Sequence, residues 1–343
     1  MTQDQPIALR GAPGSPYTRK MLAVLRYRRI PYRFLISGGA ASDLPNPKVE
    51  LLPTFFLPDE TGALQAVVDS TPLIRRLEGM TPGREVTPPN PALRFLDELL
   101  EDYGDEWLTK AMFHYRWAYS DDIEQAAEIL PRWRNITASD EAMAAAAKAF
   151  ADRQIGRLYV VGSNPVTGPV IEASYGRFLA AFDAHLTRHP FLMGARPGAS
   201  DFAVYGQLTQ LSHFDPTPSR LTLQTAPRVY AWVDLVDDLS GLEPQPGDWI
   251  APEVLADSLR PLFQEIGRTY APVMLANAKA LRAGADKVET EVEGLPWTQQ
   301  PFPYQGKCVQ WLRESFAGLP ADDRDTVMAA LDGTGCEALA AGA

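Results

Sequence analysis

The chain has 343 residues, of which 45% are hydrophobic and 22% are charged, a composition typical of soluble globular proteins with more than one domain. Its net charge of −11 argues against binding to nucleic acids or anionic membranes, because both need a clustered positive surface. With only two cysteines, Cys308 and Cys336, a disulfide framework and a zinc site are not expected. The chain start lacks the pattern of a signal peptide, and no run of about 20 apolar residues occurs, so the sequence predicts a cytoplasmic protein.

Strand and helix patterns alternate over the first 80 residues. Short apolar runs end at turn residues, and the intervening segments carry apolar residues at helical spacing. Ser70 is the predicted N-cap of the second helix, with Pro72 in its first turn. The predicted order is β-α-β followed by β-β-α, with strands at 7–9, 32–36, 54–57 and 66–68 and helices at 16–27 and from 70 onwards.

Strand patterns become rare after the proline-rich segment 81–91, which is the predicted linker. Helical spacing then recurs through 92–245, so this part is predicted to be an all-helical domain. Residues 246–343 form a predicted helical extension, with one helix or two at 251–285 and another at 307–317. The predicted helices of the middle part are 92–108, 112–119, 141–155, 172–187, 201–212 and 228–240.

The turn Gly14-Ser15-Pro16-Tyr17 lies between the first strand and the first helix. A helix N-terminus has unsatisfied N–H groups and a partial positive charge, so it stabilises an anion, and Ser15 adds a hydroxyl donor. Taken alone, the Ser-Pro pair is more simply interpreted as an ordinary helix cap. A proline at the start of the third strand, Pro53, and the pair Asp69-Ser70 after the fourth strand give the turn a wider context.

Residues 7–78 resemble the thioredoxin-like N-terminal domain of the glutathione transferase superfamily. Ser15-Pro16-Tyr17 is similar to the Ser-Pro-Phe/Tyr element of the serine-type classes of this superfamily. Pro53 is similar to the cis-proline of the superfamily. The segment Phe191 to Gly206 is similar to a folding motif of the helical domain, with Gly198 as N-cap and Asp201 as the N3 acid. The resemblance covers about 1–245. It implies an α/β thioredoxin-like domain followed by an all-α domain, a homodimer, glutathione as co-substrate and no metal.

The same resemblance implies a set of site residues. Ser15 would be the catalytic donor that keeps the glutathione thiol ionised, and the backbone of Leu52 would pair with the cysteinyl part of glutathione. The pair Asp69-Ser70 is similar to the Glu/Asp-Ser pair that holds the γ-glutamyl group. The expected glutathione-binding residues are Ser15, Tyr17, Leu52, Pro53, Asp69 and Ser70. Tyr17 is an alternative thiolate donor, although packing at the domain interface is the simpler interpretation. Because Ser15 cannot form a mixed disulfide, conjugation, peroxide reduction or isomerisation is favoured over thiol-disulfide reduction.

A second substrate would lie between the domains, where the first helix of the helical domain lines the cleft in this superfamily. Tyr103 and Trp107 are one turn apart, so they share a face and are the predicted electrophile contacts; aromatic core packing is the alternative. Arg19 and Lys20 would meet a glutathione carboxylate or form a solvated face. The neighbouring acidic residues form either a negatively charged rim of the cleft or a solvated surface; they are Glu98, Glu101, Asp102, Asp105 and Glu106.

Other reactive side chains give weaker patterns. His185 and His189 have the spacing of metal ligands on a helix but no third ligand, and Cys308 is predicted to be a small buried hydrophobe. Ser163, Ser174 and Ser200 lack any His/Asp pattern of a hydrolase. The extension is expected either to cover a dimer surface or to roof the electrophile pocket. A competing hypothesis is a transferase-like adaptor with weak or no glutathione affinity.

Overall fold

The computed structural model describes residues 6–36 and 43–341. A four-stranded sheet in the order β2-β1-β3-β4 forms the N-terminal part, with β1 and β2 parallel and the other pairs antiparallel. Two helices complete this part, and the β-α-β, β-β-α order confirms the predicted thioredoxin-like fold. The elements are β1 (Ile7–Arg10), α1 (Pro16–Tyr27), β2 (Tyr32–Leu35), β3 (Thr54–Pro58), β4 (Leu64–Val67) and α2 (Ser70–Met80).

The middle part is helical, as predicted. A π-helical turn, Gly104–Leu108, joins α3 to α4, and the fully buried α8 packs against both α1 and α3. Helices α5 and α9 are additions to the predicted set. The helices are α3 (Pro91–Tyr103), α4 (Thr109–Ala118), α5 (Ser120–Arg132), α6 (Asp140–Ile155), α7 (Gly168–Leu186), α8 (Ala199–Leu211), α9 (Pro216–Thr225) and α10 (Pro227–Asp237).

The C-terminal extension is not wholly helical, which corrects the prediction. It contains a hairpin whose first strand, Val-Glu-Thr-Glu-Val, alternates apolar and polar residues, and whose turn residues Glu293 and Gly294 both have positive φ. Helices α13 and α14 pack on α3, and α11 packs on α7. The elements are α11 (Pro252–Glu265), α12 (Ala271–Ala283), β5 (Val288–Val292), β6 (Leu295–Gln299), α13 (Pro303–Ala317), α14 (Ala321–Leu331) and α15 (Glu337–Ala340).

The N-terminus of α8 is capped from another helix. Gly198 has no side chain to cap it, but Asp201 accepts a hydrogen bond from the Gly198 N–H at 2.9 Å. Asp97 of α3 accepts from the N–H groups of Ala199 and Ser200 at 3.2 and 3.1 Å. A Cβ on Gly198 would lie 2.3 Å from Asp97 Oδ1, so glycine is required for this carboxylate to approach. The missing N-cap side chain is therefore replaced by a tertiary contact.

No helix in the described ranges is long and apolar enough to cross a membrane.

Candidate functional site

Ser15 is the N-cap of α1. Its Oγ accepts a hydrogen bond from the Thr18 N–H at 3.3 Å, and Pro16 occupies the first helical position. A hydroxyl has one donor and two acceptor sites, so the Ser15 O–H remains free to donate. The first turn of α1 contains no acidic residue. The helix end therefore presents its partial positive charge without an internal counter-ion.

Two side chains of the helical part hold the loop that precedes Ser15. Arg116 donates to the carbonyl of Gly14 at 3.2 Å, and Gln210 donates to the carbonyl of Pro13 at 3.3 Å. Arg116 is itself fixed by Asp215, whose two carboxylate oxygens accept from it at 2.8 and 2.9 Å. Both members of this ion pair are buried, so the loop is attached to a rigid part of the core.

An apolar wall from α5 lies beside this loop. A Cβ on Gly14 would be 2.3 Å from Leu130 Cδ2 and 2.9 Å from Trp133 Cζ3, so glycine is needed for α5 to pack this closely. The Trp133 ring also contacts Phe214, with ring centroids 5.1 Å apart. This wall is not among the predicted features, because the predicted helices do not include α5.

The other predicted recognition elements lie directly before β3 and directly after β4. The Leu52–Pro53 peptide bond is cis, Pro53 is buried, and Leu52 is half-buried. Asp69, with φ of 81°, is the N-cap of α2, and Ser70 is its first helical residue. The prediction that Ser70 caps α2 is therefore wrong by one residue.

Asp69 and Ser70 each have a partner from a distant segment. Tyr304 of α13 donates its hydroxyl to Asp69 Oδ1 at 2.9 Å, and burial raises the pKa of Asp69 although this bond opposes the shift. Ser70 Oγ accepts from Lys20 Nζ at 3.2 Å, which leaves the Ser70 O–H free to donate. The extension thus reaches the residue expected to hold the γ-glutamyl end of glutathione.

Lys20 is completely buried, so the solvated-face interpretation of this residue is wrong. Its Nζ lies 2.7 Å from Glu101 Oε1 and 2.6 Å from Asp105 Oδ2. Burial lowers the pKa of Lys20, but Asp105 and Glu101 outweigh burial and raise it to about 12. Burial raises the pKa of Asp105 to about 6, against the opposing effect of Lys20. The acidic residues of this region are consequently not a solvated surface.

Tyr17 packs at the interface between the two parts of the fold. Its hydroxyl donates to the backbone carbonyl of Asp105 at 2.8 Å, and burial, together with the Glu106 and Asp105 carboxylates, raises the pKa of its phenol. A phenol with a raised pKa that already donates its proton is poorly suited to stabilise a thiolate. The proton of the Tyr17 hydroxyl is therefore already used within the fold.

Tyr103 and Trp107 are core residues, which contradicts their predicted role as electrophile contacts. They are 1% and 2% exposed. Tyr103 packs on Tyr270 with ring centroids 5.8 Å apart, and Trp107 packs on Trp297 at 5.4 Å. The extension covers the face that these two aromatic residues share, so the alternative of core packing is the correct one.

Ser163 does have a histidine partner, contrary to the sequence analysis. His114 Nδ1 lies 2.8 Å from Ser163 Oγ, and His114 Nε2 lies 2.9 Å from Glu172 Oε1. Ser163 and His114 are 6% and 5% exposed. This chain of hydrogen bonds connects α4 to the start of α7, and its burial gives the serine no evident access to a substrate.

Two domain models match this chain. The model described as "Glutathione S-transferase, N-terminal domain" matches residues 9–85, and "Glutathione S-transferase, C-terminal domain" matches residues 128–235. The chain belongs to the glutathione S-transferase superfamily. The two matches correspond to the sheet-containing part and to the helical core, and both end before the extension.

Solved structures similar to this transferase-superfamily chain have low identity to it. A glutathione transferase family member from Pseudomonas fluorescens Pf-5, with two glutathione bound, is 14% identical over 68% of this chain and 89% of that chain, with a TM-score of 0.42. A glutathione S-transferase from Methylobacterium radiotolerans, in complex with glutathione sulfonate, is 19% identical over 72% of this chain and 100% of that chain, with a TM-score of 0.39. FzlA from C. crescentus is 15% identical over 72% of this chain and 96% of that chain, with a TM-score of 0.42. No curated protein matches the chain.

Proposed function

We propose that this member of the glutathione S-transferase superfamily binds glutathione and activates its thiol as a serine-type transferase. The observation that carries the proposal is the Ser15 hydroxyl, which caps α1 and keeps its proton free to donate. The thiol would lie against the N-terminus of α1, between the Ser15 loop and the cis Leu52–Pro53 bond. The γ-glutamyl end would reach Asp69 and Ser70.

The free energies of these interactions are sufficient for thiol activation. A free thiol has a pKa of about 8.5, and lowering it to about 6.5 needs about 2.7 kcal/mol of preference for the thiolate. One hydrogen bond to a charged group supplies about 1.5–3 kcal/mol, and a helix terminus adds about 0.3–1 kcal/mol. Ser15 and α1 therefore suffice, and no separate catalytic base is required.

Lys20 would act as a positioning residue for the γ-glutamyl end. Because Lys20 donates to the Ser70 oxygen, the Ser70 hydroxyl keeps its proton available for a ligand acceptor such as a carboxylate. Asp69 offers its second oxygen to the ligand ammonium group, while Tyr304 holds the first. Tyr304 also opposes the rise in the pKa of Asp69, which helps to keep that carboxylate ionised.

The reaction would be attack of the glutathione thiolate on a small electrophile or a peroxide. The apolar wall of Leu130 and Trp133 lies beside Gly14, next to Ser15 in the chain, and it replaces Tyr103 and Trp107 as the proposed electrophile contact. Following the resemblance to the family, we also propose that the protein is a cytoplasmic homodimer. Light scattering of the purified protein would test the dimer by its mass.

Ser15→Ala is the decisive variant. Glutathione should still bind, while the pH at which the bound thiol ionises rises by one to two units, roughly 1.4–2.7 kcal/mol. Ultraviolet absorbance of the thiolate measures this shift. Ser139→Ala is a matched control, because Ser139 caps α6 with the same 3.3 Å hydrogen bond and lies in another helix. If the ionisation pH does not move in Ser15→Ala, the hydroxyl is only a helix cap.

The competing hypothesis, a transferase-like adaptor without catalysis, predicts a different titration. Calorimetry with millimolar glutathione would then detect no saturable binding. Our proposal predicts saturable binding that Ser70→Ala weakens, because Ser70 then loses its donor to the carboxylate. The joint presence of Ser15, Pro53, Asp69 and Ser70 favours the enzyme, because an adaptor does not need this set.

A further inference from the structure

One side chain of α12 fixes the start of α13. Asn277 is 0% exposed, and its Nδ2 donates a hydrogen bond to the carbonyl of Phe302 at 2.9 Å. The N–H of Phe302 donates in turn to Asn277 Oδ1 at 2.7 Å. Phe302 is the N-cap residue of α13, and its own side chain offers no capping acceptor. Asn277 therefore holds both backbone polar groups of the residue at which α13 begins.

This helix start places Tyr304 in the first turn of α13. The Tyr304 ring packs near two aromatic rings, with its centroid 6.4 Å from that of Phe302 and 6.2 Å from that of Trp311. Its hydroxyl donates to Asp69 Oδ1 at 2.9 Å. Because a side chain in the first turn moves with the backbone of the helix start, a shift of Phe302 would displace the hydroxyl. A hydrogen bond weakens steeply when its geometry is lost.

The contact connects the sheet-containing part to a segment outside the matched family models. Asp69 lies within the first match, residues 9–85, whereas Asn277 and Tyr304 lie beyond residue 235, where the second match ends. The bond to Asp69 is therefore a contribution of the extension of this chain and not of the matched domains.

The Tyr304 hydroxyl also favours the charged form of Asp69. Burial raises the pKa of Asp69, and the hydrogen bond from Tyr304 is the strongest interaction that opposes this rise. An uncharged Asp69 could not pair with an ammonium group, so this donor favours the form that a γ-glutamyl end requires. The other titratable or charged groups that face Asp69 are Lys20 of α1, Asp105 of the π-helical turn, and Lys307 and Cys308 of α13.

We propose that the extension is a functional part of the glutathione site: Asn277 is a positioning residue for Tyr304, and Tyr304 orients Asp69 towards the γ-glutamyl ammonium group. This inference rests on the proposed function, in which Asp69 holds the γ-glutamyl end. It gives the extension a role in ligand binding. Docking of α13 and binding of glutathione should then strengthen each other, because the coupling between two sites is reciprocal.

Tyr304→Phe tests the direct contact, because it removes only a hydroxyl and should fold. In calorimetric titrations of the full chain with glutathione, we expect binding about fivefold weaker at pH 7.5. The acidic pH at which half of the binding is lost should rise by about one unit, because Asp69 loses a donor that favours its ionised form. Tyr270→Phe is the matched control: it removes another hydroxyl of the extension, which donates to Asp102, and should change neither quantity.

Asn277→Ala tests the positioning role in a double-mutant cycle. By itself, it should weaken glutathione binding and shift the pH profile in the same direction as Tyr304→Phe. In the Tyr304→Phe background it should have no further effect, because no hydroxyl remains to be positioned. Urea unfolding checks that each variant is folded under the assay conditions. Equal effects of Asn277→Ala in the two backgrounds would overturn its positioning role.

Amide hydrogen exchange tests the reciprocal effect on α13. Saturating glutathione should slow exchange in the first turns of α13 in the wild type but not in Tyr304→Phe, and unchanged exchange in the wild type would overturn the inference. If the wild type binds glutathione and Tyr304→Phe matches its affinity and pH profile, this inference fails while the proposed function stands. If the wild type does not bind glutathione, both fail.

Discussion

Replacement of Lys20 by methionine tests whether the buried ion cluster holds the two parts of the fold together. The variant keeps a side chain of similar length but removes the only cation within salt-bridge distance of Glu101 and Asp105 in the described ranges. Lys20 is 0% exposed, so water cannot replace the lost ammonium group. Two carboxylates would then be buried without a counter-ion, which proteins do not tolerate unless the carboxylates take up protons.

The expected loss of stability follows from the structure. The pKa of Lys20 rises from 10.5 to about 12 on folding, which corresponds to about 2 kcal/mol at 1.36 kcal/mol per unit. This contribution is fully present below pH 10.5 and is lost as the pH rises through about 12. Removing one partner of a buried ion pair generally costs more, about 3–5 kcal/mol, because the remaining charge is unpaired. We expect Lys20→Met to destabilise the protein by about 2–5 kcal/mol at pH 8.

Urea unfolding, followed by circular dichroism at pH 8 and pH 5, measures the effect. At pH 5 the loss should shrink, because Asp105, whose pKa is already about 6 in the wild type, becomes protonated and needs no counter-ion. Lys148→Met is the control: Lys148 forms a 2.6 Å ion pair with Asp152, but its side chain is 78% exposed, so less than about 1 kcal/mol is expected. Equal effects of the two substitutions, or a loss at pH 8 that persists unchanged at pH 5, would refute the reasoning.

Four further substitutions have defined outcomes. The pKa of Glu106 is about 8 in the folded chain, whereas its ordinary value is 4.5. The protonated carboxyl therefore stabilises the folded chain fully below pH 4.5, and this stabilisation is lost as the pH rises through 8. Glu106→Gln should abolish this part of the pH dependence in urea unfolding. Trp107→Ala should cost about 3–5 kcal/mol in the same assay, since the indole is buried; a loss below 1 kcal/mol would contradict a core role. Gly198→Ala should lower the melting temperature because its Cβ would meet Asp97 at 2.3 Å, whereas Gly176→Ala, with open space within α7, should raise it.

Local sequence patterns were sufficient for the N-terminal fold and for much of the helical part. The predicted bounds of α1, 16–27, are those observed, because Ser15 and Pro16 are strong signals for a helix start and the apolar spacing continues to Tyr27. The hairpin of the extension had a local signal as well, in its alternating strand and its Glu-Gly turn, although the prediction treated the extension as helical.

The environment of each charged side chain was not predictable in this way. In the sequence, Arg19 and Lys20 look like part of a polar helix face. The partners of Lys20 are Glu101 and Asp105, which lie 81 and 85 positions further along the chain. Tyr103 and Trp107 do share one face, as predicted, but only the packing of the extension decides that this face is core rather than cleft.

The sequence by itself thus determined the order of the elements, the capped start of α1 and the family, since these depend on residues close together in the chain. The tertiary structure alone decided which groups are buried and what they meet. Asp69 illustrates this: its partner Tyr304 lies 235 positions away, on an extension that no family motif describes. Burial and charge pairing arise from contacts between distant segments, and a local pattern carries no information about which segments these will be.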